Sequence, residues 1–131
     1  MTWRYEQKTG RLLCYADDET TAERVAIGYA GAGEGKNNPA MQDVQNVGPL
    51  PVGKYTIGEP SDTKTHGPYV LHLTPDPANE MYGRAGFLIH GDSVVNPGTA
   101  SEGCMIFSRR LNACREMPQP ASRRFSSQAC W

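Results

Sequence analysis

No apolar run in this chain extends beyond about five residues before a glycine, proline or polar residue interrupts it, which is strand length and too short for a packed helix. With 14 glycines and 10 prolines, the punctuation is dense enough to argue for short strands and long connections throughout. Trp3-Arg4-Tyr5 and Leu13-Cys14-Tyr15 flank Lys8-Thr9-Gly10, where glycine can supply the positive φ of a tight turn, so the chain opens with a β-hairpin. Val25 to Ala30 has the composition of a buried strand, and the glycine-rich stretch from Gly31 to Asn38 that of an exposed loop rimming a site. Gly48-Pro49-Leu50-Pro51-Val52-Gly53 is turn punctuation before a strand at Lys54-Tyr55-Thr56-Ile57. Tyr69 to Leu73, Gly86 to His90 and Met105 to Phe107 are further strands. Only Ser108 to Met117 has helix composition, and Pro118 would end it.

A chain of 131 residues has room for one domain and one core. The expected fold is mainly β, a sandwich or barrel, with one short helix after the strand at Met105 and an irregular C-terminal tail. Residues 1–117 form the domain in this scheme. Residues 118–131 are rich in Pro, Ser and Arg and form an extended tail, folded back if Cys130 or Trp131 anchors it. Cys114 and Cys130 bracket that segment, and a bridge between them would contribute ~3 kcal/mol in an oxidising compartment. Cys14 reads as a buried strand residue.

The net charge of −1 carries no block of like charge that could grip a phosphate backbone, so nucleic acid is not an expected partner. The first residues, Met1-Thr2-Trp3-Arg4-Tyr5-Glu6, lack the basic and apolar regions of a secretory signal, and membrane insertion is not expected either. Synthesis in the cytoplasm is the resulting expectation.

Chemistry concentrates in one stretch. A strand ends at His90-Gly91-Asp92-Ser93, a turn follows at Asn96-Pro97-Gly98, and Ala100-Ser101-Glu102-Gly103-Cys104-Met105 opens a new strand. Adjacent strands joined in this way can bring an imidazole and a sulfur together although 14 positions separate them. A free thiol titrates near ~8.5, so attack on an amide needs a neighbouring base, and His90 is the candidate. Gly103 would let the backbone approach a substrate closely, while amides at or beside Cys104 could stabilise a tetrahedral oxyanion. Gly91 would keep space clear beside the imidazole. Singly, a buried cysteine and a histidine at a strand end are more often packing residues.

Taken together, His90-Gly91, the loop, and Ser101-Glu102-Gly103-Cys104-Met105 resemble the YkuD-type L,D-transpeptidase signature. Trp3-Arg4-Tyr5, Gly28-Tyr29-Ala30-Gly31, Asn37-Asn38-Pro39 and Gly48 to Tyr55 resemble its compact branch used as type VI secretion effectors. The resemblance runs from about Trp3 to Ser108. It implies a β-rich fold and cysteine-dependent acyl transfer on peptidoglycan tetrapeptide stems, cleaving the diaminopimelate–D-alanine bond through a thioester, with no cofactor and no metal. It implies as partners the stem peptide, a cognate immunity protein and secretion machinery, and as place of action the periplasm of target cells. A housekeeping L,D-transpeptidase is the near alternative, and a non-catalytic peptidoglycan-binding module the distant one.

Further site residues follow on the same footing. Ser101 would hydrogen-bond near the histidine or the oxyanion, or else cap the turn before Gly103. Asp92 would orient His90 or meet substrate. The signature places an arginine two residues after the cysteine, where this chain has Ile106. Its arginines come at Arg109 and Arg110, and Arg84 could reach the pocket from another side to pair with a carboxylate, or stand solvated on the surface.

Other motifs do not hold. Gly31-Ala32-Gly33-Glu34-Gly35-Lys36-Asn37 has Ala30 and Asn37 where a nucleotide-binding loop needs glycine and a hydroxyl residue. His66, His72 and His90 lack the spacing of a zinc site. In papain-like amidases the histidine follows the cysteine, the reverse of the order here.

Overall fold

The computed structural model describes residues 2–15, 22–107 and 124–128. Among the described residues, eight strands form a closed barrel. They are β1 (Thr2–Glu6), β2 (Arg11–Tyr15), β3 (Ala22–Ala30), β4 (Gly53–Thr63), β5 (Gly67–Pro75), β6 (Leu88–Gly91), β7 (Met105–Phe107) and β8 (Arg124–Gln128), in the order β1-β2-β3-β7-β6-β5-β4-β8. The opening hairpin is as expected: Tyr5 faces Leu12 across it, and Gly10 at φ 72 makes the turn.

Alternation along the strands builds the core. Trp3 and Tyr5, Tyr55 and Ile57, Leu71 and Leu73, and Met105 and Phe107 are spaced by two and buried in one cluster, as period-two geometry requires. Leu50 and Phe87, from connecting segments, join them.

Two parts of the sheet differ from the sequence expectation. Residues 118–131 were expected as an irregular tail, yet Arg124–Gln128 pair in parallel with β1 and antiparallel with β4, closing the barrel. The largely polar composition of these residues hides a strand that pairs with two neighbours. Strand β4 also runs on past Ile57 through Pro60 to Thr63, with register shifts between Ile57 and Pro60 and between Ser61 and Thr63. Such bulges accommodate a proline in a ladder and bend the strand. The expected helix at Ser108–Met117 and the Cys114–Cys130 bridge lie outside the described residues.

Strands β6 and β7 lie side by side and parallel, with Ile89 opposite Met105, His90 opposite Ile106 and Gly91 opposite Phe107. A parallel pair cannot be joined by a tight turn and needs a crossover of about a dozen residues or more. That requirement accounts for the long connection between His90 and Cys104.

Candidate active site

Ile89, Met105 and Phe107 point into the barrel, so alternation turns His90 and Ile106 to the outer face of the same two strands. Cys104 stands two residues before Ile106, immediately ahead of β7, which puts it on that outer face as a diagonal neighbour of His90. Both side chains border one cavity of about 660 Å³. His90 is nevertheless 3% exposed, whereas Cys104 is half-buried.

The His90 ring is oriented by its own strand. Nδ1 lies 2.9 Å from the Gly91 carbonyl, which can only accept, so the neutral ring carries its proton on Nδ1. Nε2 is buried and has no hydrogen-bond partner among the described residues. A bare ring nitrogen beside a cavity is the arrangement of a base awaiting a proton.

The crossover from β6 to β7 is tied down by two polar side chains. Asp92 accepts from the Tyr29 hydroxyl at 2.7 Å, from the Ser93 amide at 2.8 Å and from the Gly98 amide at 3.0 Å. Burial would raise the Asp92 carboxyl, but the hydrogen bonds from Tyr29, Gly98 and Ser93 outweigh it and hold the group below its ordinary range. Asp92 was expected to orient His90 or meet substrate. Its oxygens instead organise the loop, and the Gly91 carbonyl does the orienting.

Ser101 is likewise a scaffold residue. Its buried hydroxyl accepts from the amides of Gly31 at 2.8 Å and Gly103 at 3.0 Å and donates to the Cys104 carbonyl at 2.6 Å. With both lone pairs and its proton engaged, the hydroxyl caps the turn and does not serve the histidine or an oxyanion. The Gly103 amide is turned toward Ser101 and so is not offered to the cavity. Gly103 has φ +142, and a Cβ there would sit 2.6 Å from Arg84 Nη2 and 2.9 Å from Phe87 Cε1. Glycine is obligatory at this position because of its protein neighbours as well as any ligand.

Arg84 borders the cavity, but its guanidinium does not stand free for a carboxylate, nor is it a solvated surface arginine. It is 6% exposed and donates to four backbone carbonyls: Gln42 at 2.6 Å, Pro49 at 2.8 Å, Gly48 at 2.9 Å and Glu102 at 3.3 Å. It fastens the segment 42–49 to the turn that presents Cys104. Ile106, in the place where the signature has arginine, is buried opposite His90. Arg109 and Arg110 lie outside the described residues.

The glycine-rich loop is also differently placed. It braces the crossover from behind, with Lys36 Nζ donating to the Gly98 carbonyl at 2.9 Å and lying 4.2 Å from the Tyr29 ring centroid. The rim is formed instead by Gln45, Asn46, Thr65, His66, Val94 and Glu102. Of these only His66 was weighed in the sequence, and then as a metal ligand. Its ring meets that of His90 edge to face, with centroids 4.9 Å apart. No periodicity could have linked a residue in the β4–β5 turn to one in β6.

Burial pushes the Cys104 thiol up; a hydrogen bond from the Leu88 amide opposes it, the nearby Glu102 carboxylate adds to it, and Arg84 opposes it more weakly. Burial pushes His90 down. Both displacements favour the neutral thiol and imidazole over a thiolate–imidazolium pair. Alkylation of Cys104 by iodoacetamide, mapped by peptide mass, is therefore expected to climb only at pH above the ordinary thiol range of about 8.5. A rate already at its plateau near neutral pH would mean that the ion pair is the resting state.

Residues 24–119 match the family model described as the Tlde1 domain. The fold is similar to that in the crystal structure of the L,D-transpeptidase (residues 123–326) from Xylanimonas cellulosilytica DSM 15894, with 17% sequence identity and a TM-score of 0.54. That likeness covers 97% of this chain but 59% of the neighbour's, and at this identity it is a likeness of fold. No curated protein sequence matches the chain.

Proposed function

The chain belongs to the Tlde1 domain family and has an L,D-transpeptidase fold, and from that premise we propose that it is a cysteine acyltransferase acting on the tetrapeptide stems of peptidoglycan. The observation that carries this reading is the bare Nε2 of His90, oriented through Nδ1, in the same cavity as the free thiol of Cys104.

In this mechanism Sγ attacks the carbonyl on the L-centre of diaminopimelate as Nε2 takes the thiol proton. The amide of Cys104 donates to the developing oxyanion. Collapse breaks the bond to the terminal D-alanine, whose nitrogen leaves with the proton from His90, and a thioester remains. Water yields a tripeptide, a D-amino acid an exchanged stem, and a second stem's amine a cross-link; in each case His90 takes a proton from the acceptor and passes it to the departing sulfur. A resting neutral pair suits this scheme, because a neutral imidazole takes up a proton at the start of each half-reaction and gives it up at the end.

The same premise supports an antibacterial role, in which the chain is delivered by type VI secretion machinery into a competitor's periplasm and neutralised in kin by an immunity protein. The experiment is mass analysis of stem peptides from isolated peptidoglycan before and after treatment. Tripeptides, exchanged stems or new cross-links are the expected products, and unaltered tetrapeptides would overturn the reading. The comparison repeated in cells, with the chain directed to the periplasm or kept in the cytoplasm, tests the place of action: stem conversion and growth arrest are expected only in the first.

A further inference from the structure

The β4–β5 hairpin projects beyond its partner strand. β6 pairs with β5 only at Leu71 and His72, while β4 and β5 continue to pair with each other as far as Thr63 and Gly67. One register shift, between Ser61 and Thr63, falls in this projecting part of β4 and the other, between Ile57 and Pro60, lies just before it; such bulges bend a strand out of the sheet. The turn that follows places His66 against the otherwise buried base. The His66 and His90 rings meet at 4.9 Å with 62° between their planes.

His66 itself is exposed, and its Nδ1 lies 2.8 Å from the Thr65 hydroxyl. Its orientation is thus set within the turn, and its ring is offered to one face of the cavity.

We propose that His66 is a positioning residue for the acyl transfer: the hairpin tip lays a second imidazole across His90, fixing the tilt of the base and keeping it in its neutral, proton-accepting form. The proposal rests on the reading of His90 as the base and extends it to a residue that touches no reacting atom. The bond from Nδ1 to Gly91 anchors one edge of the His90 ring but leaves rocking about that bond. An edge-to-face ring contact removes that freedom.

The effect on charge follows from the groups that face His90. Asp92, from the crossover, favours a cation there, as does the Gly91 carbonyl, while His66 disfavours one and adds to the effect of burial. Cys104 shares the cavity, with Glu102 and Arg84 behind it in the turn before β7 and in the β5–β6 connection. His66 is therefore a basic neighbour that opposes protonation of the base from inside the cavity.

Two variants of the full chain test this. In His66→Phe the ring contact stays and the basic nitrogens go. The midpoint of His90, followed by NMR of its imidazole carbon-bound protons, is expected to rise by about 0.5–1 pH unit, the size of a like-charge interaction at this distance in a water-filled groove. The acid side of the rate profile should move to higher pH with it, because the unprotonated base is the active form. In His66→Ala the ring contact goes as well, and kcat at pH 8 is expected to fall about 10-fold with KM little changed, as loss of orientation predicts.

An unchanged His90 midpoint in His66→Phe would overturn the proposal. So would a rise in KM alone in His66→Ala, which would make His66 a substrate contact. Because the midpoint is read without substrate, a wild-type protein inert toward stem peptides would count against the acyl-transfer reading and not against the ring contact.

Discussion

Cys104→Ala is expected to stop conversion of tetrapeptide stems, lowering the rate by about 10³-fold or more, since it removes the group proposed to form the acyl intermediate. The fold should survive the change. The Cys104 side chain is half-buried, and its thiol lies 4.0 Å from the Gly86 carbonyl, a marginal contact. Loss of that contact should cost no more than about 0.5 kcal/mol. A melting curve superimposable on the wild type, together with absent turnover and an absent thioester mass on the Cys104 peptide, is the expected pattern. Turnover retained in Cys104→Ala would show that another residue performs the attack, and the cysteine mechanism would fall with it.

Arg84→Met is expected to have the second largest effect, on stability and rate together. Methionine fills a similar volume but offers no donor to the carbonyls of Gln42, Gly48, Pro49 and Glu102. Charge-assisted bonds to buried acceptors contribute more than neutral ones, and orphaned carbonyls carry their desolvation cost. A loss of about 3–5 kcal/mol in urea unfolding follows. Because one of those carbonyls belongs to the turn before Cys104, the nucleophile loses its placement, and kcat should drop about 10- to 100-fold. Arg84→Lys should recover only part of this, since a point charge on a flexible stem cannot reach four acceptors. Full stability with a raised KM would instead restore the role expected from the sequence, recognition of a substrate carboxylate.

The candidate site was legible where its logic is local. Cys104, His90 and Gly103 stand in a short motif whose residue types are demanded by the chemistry, and each is in the cavity wall. The roles of their neighbours were not legible. Ser101 and Asp92 have side chains that suit either catalysis or turn capping, and only their partners decide which. His66 was visible only as a histidine without metal-site spacing, because its relation to His90 depends on how far a bent hairpin reaches.

The strand-forming segments, the glycine turns and the pairing of a cysteine with a histidine in one motif are properties of the sequence itself, since each rests on alternation, backbone freedom or reactivity within a few neighbouring residues. The tertiary structure decided that β6 and β7 run parallel, that Arg124–Gln128 close the barrel, that Arg84 serves as a brace, and that a second histidine leans on the first. These depend on pairings between segments far apart in the chain. Such pairings are selected by the joint burial of many side chains and the satisfaction of their backbone groups, and no local window of residues contains that information.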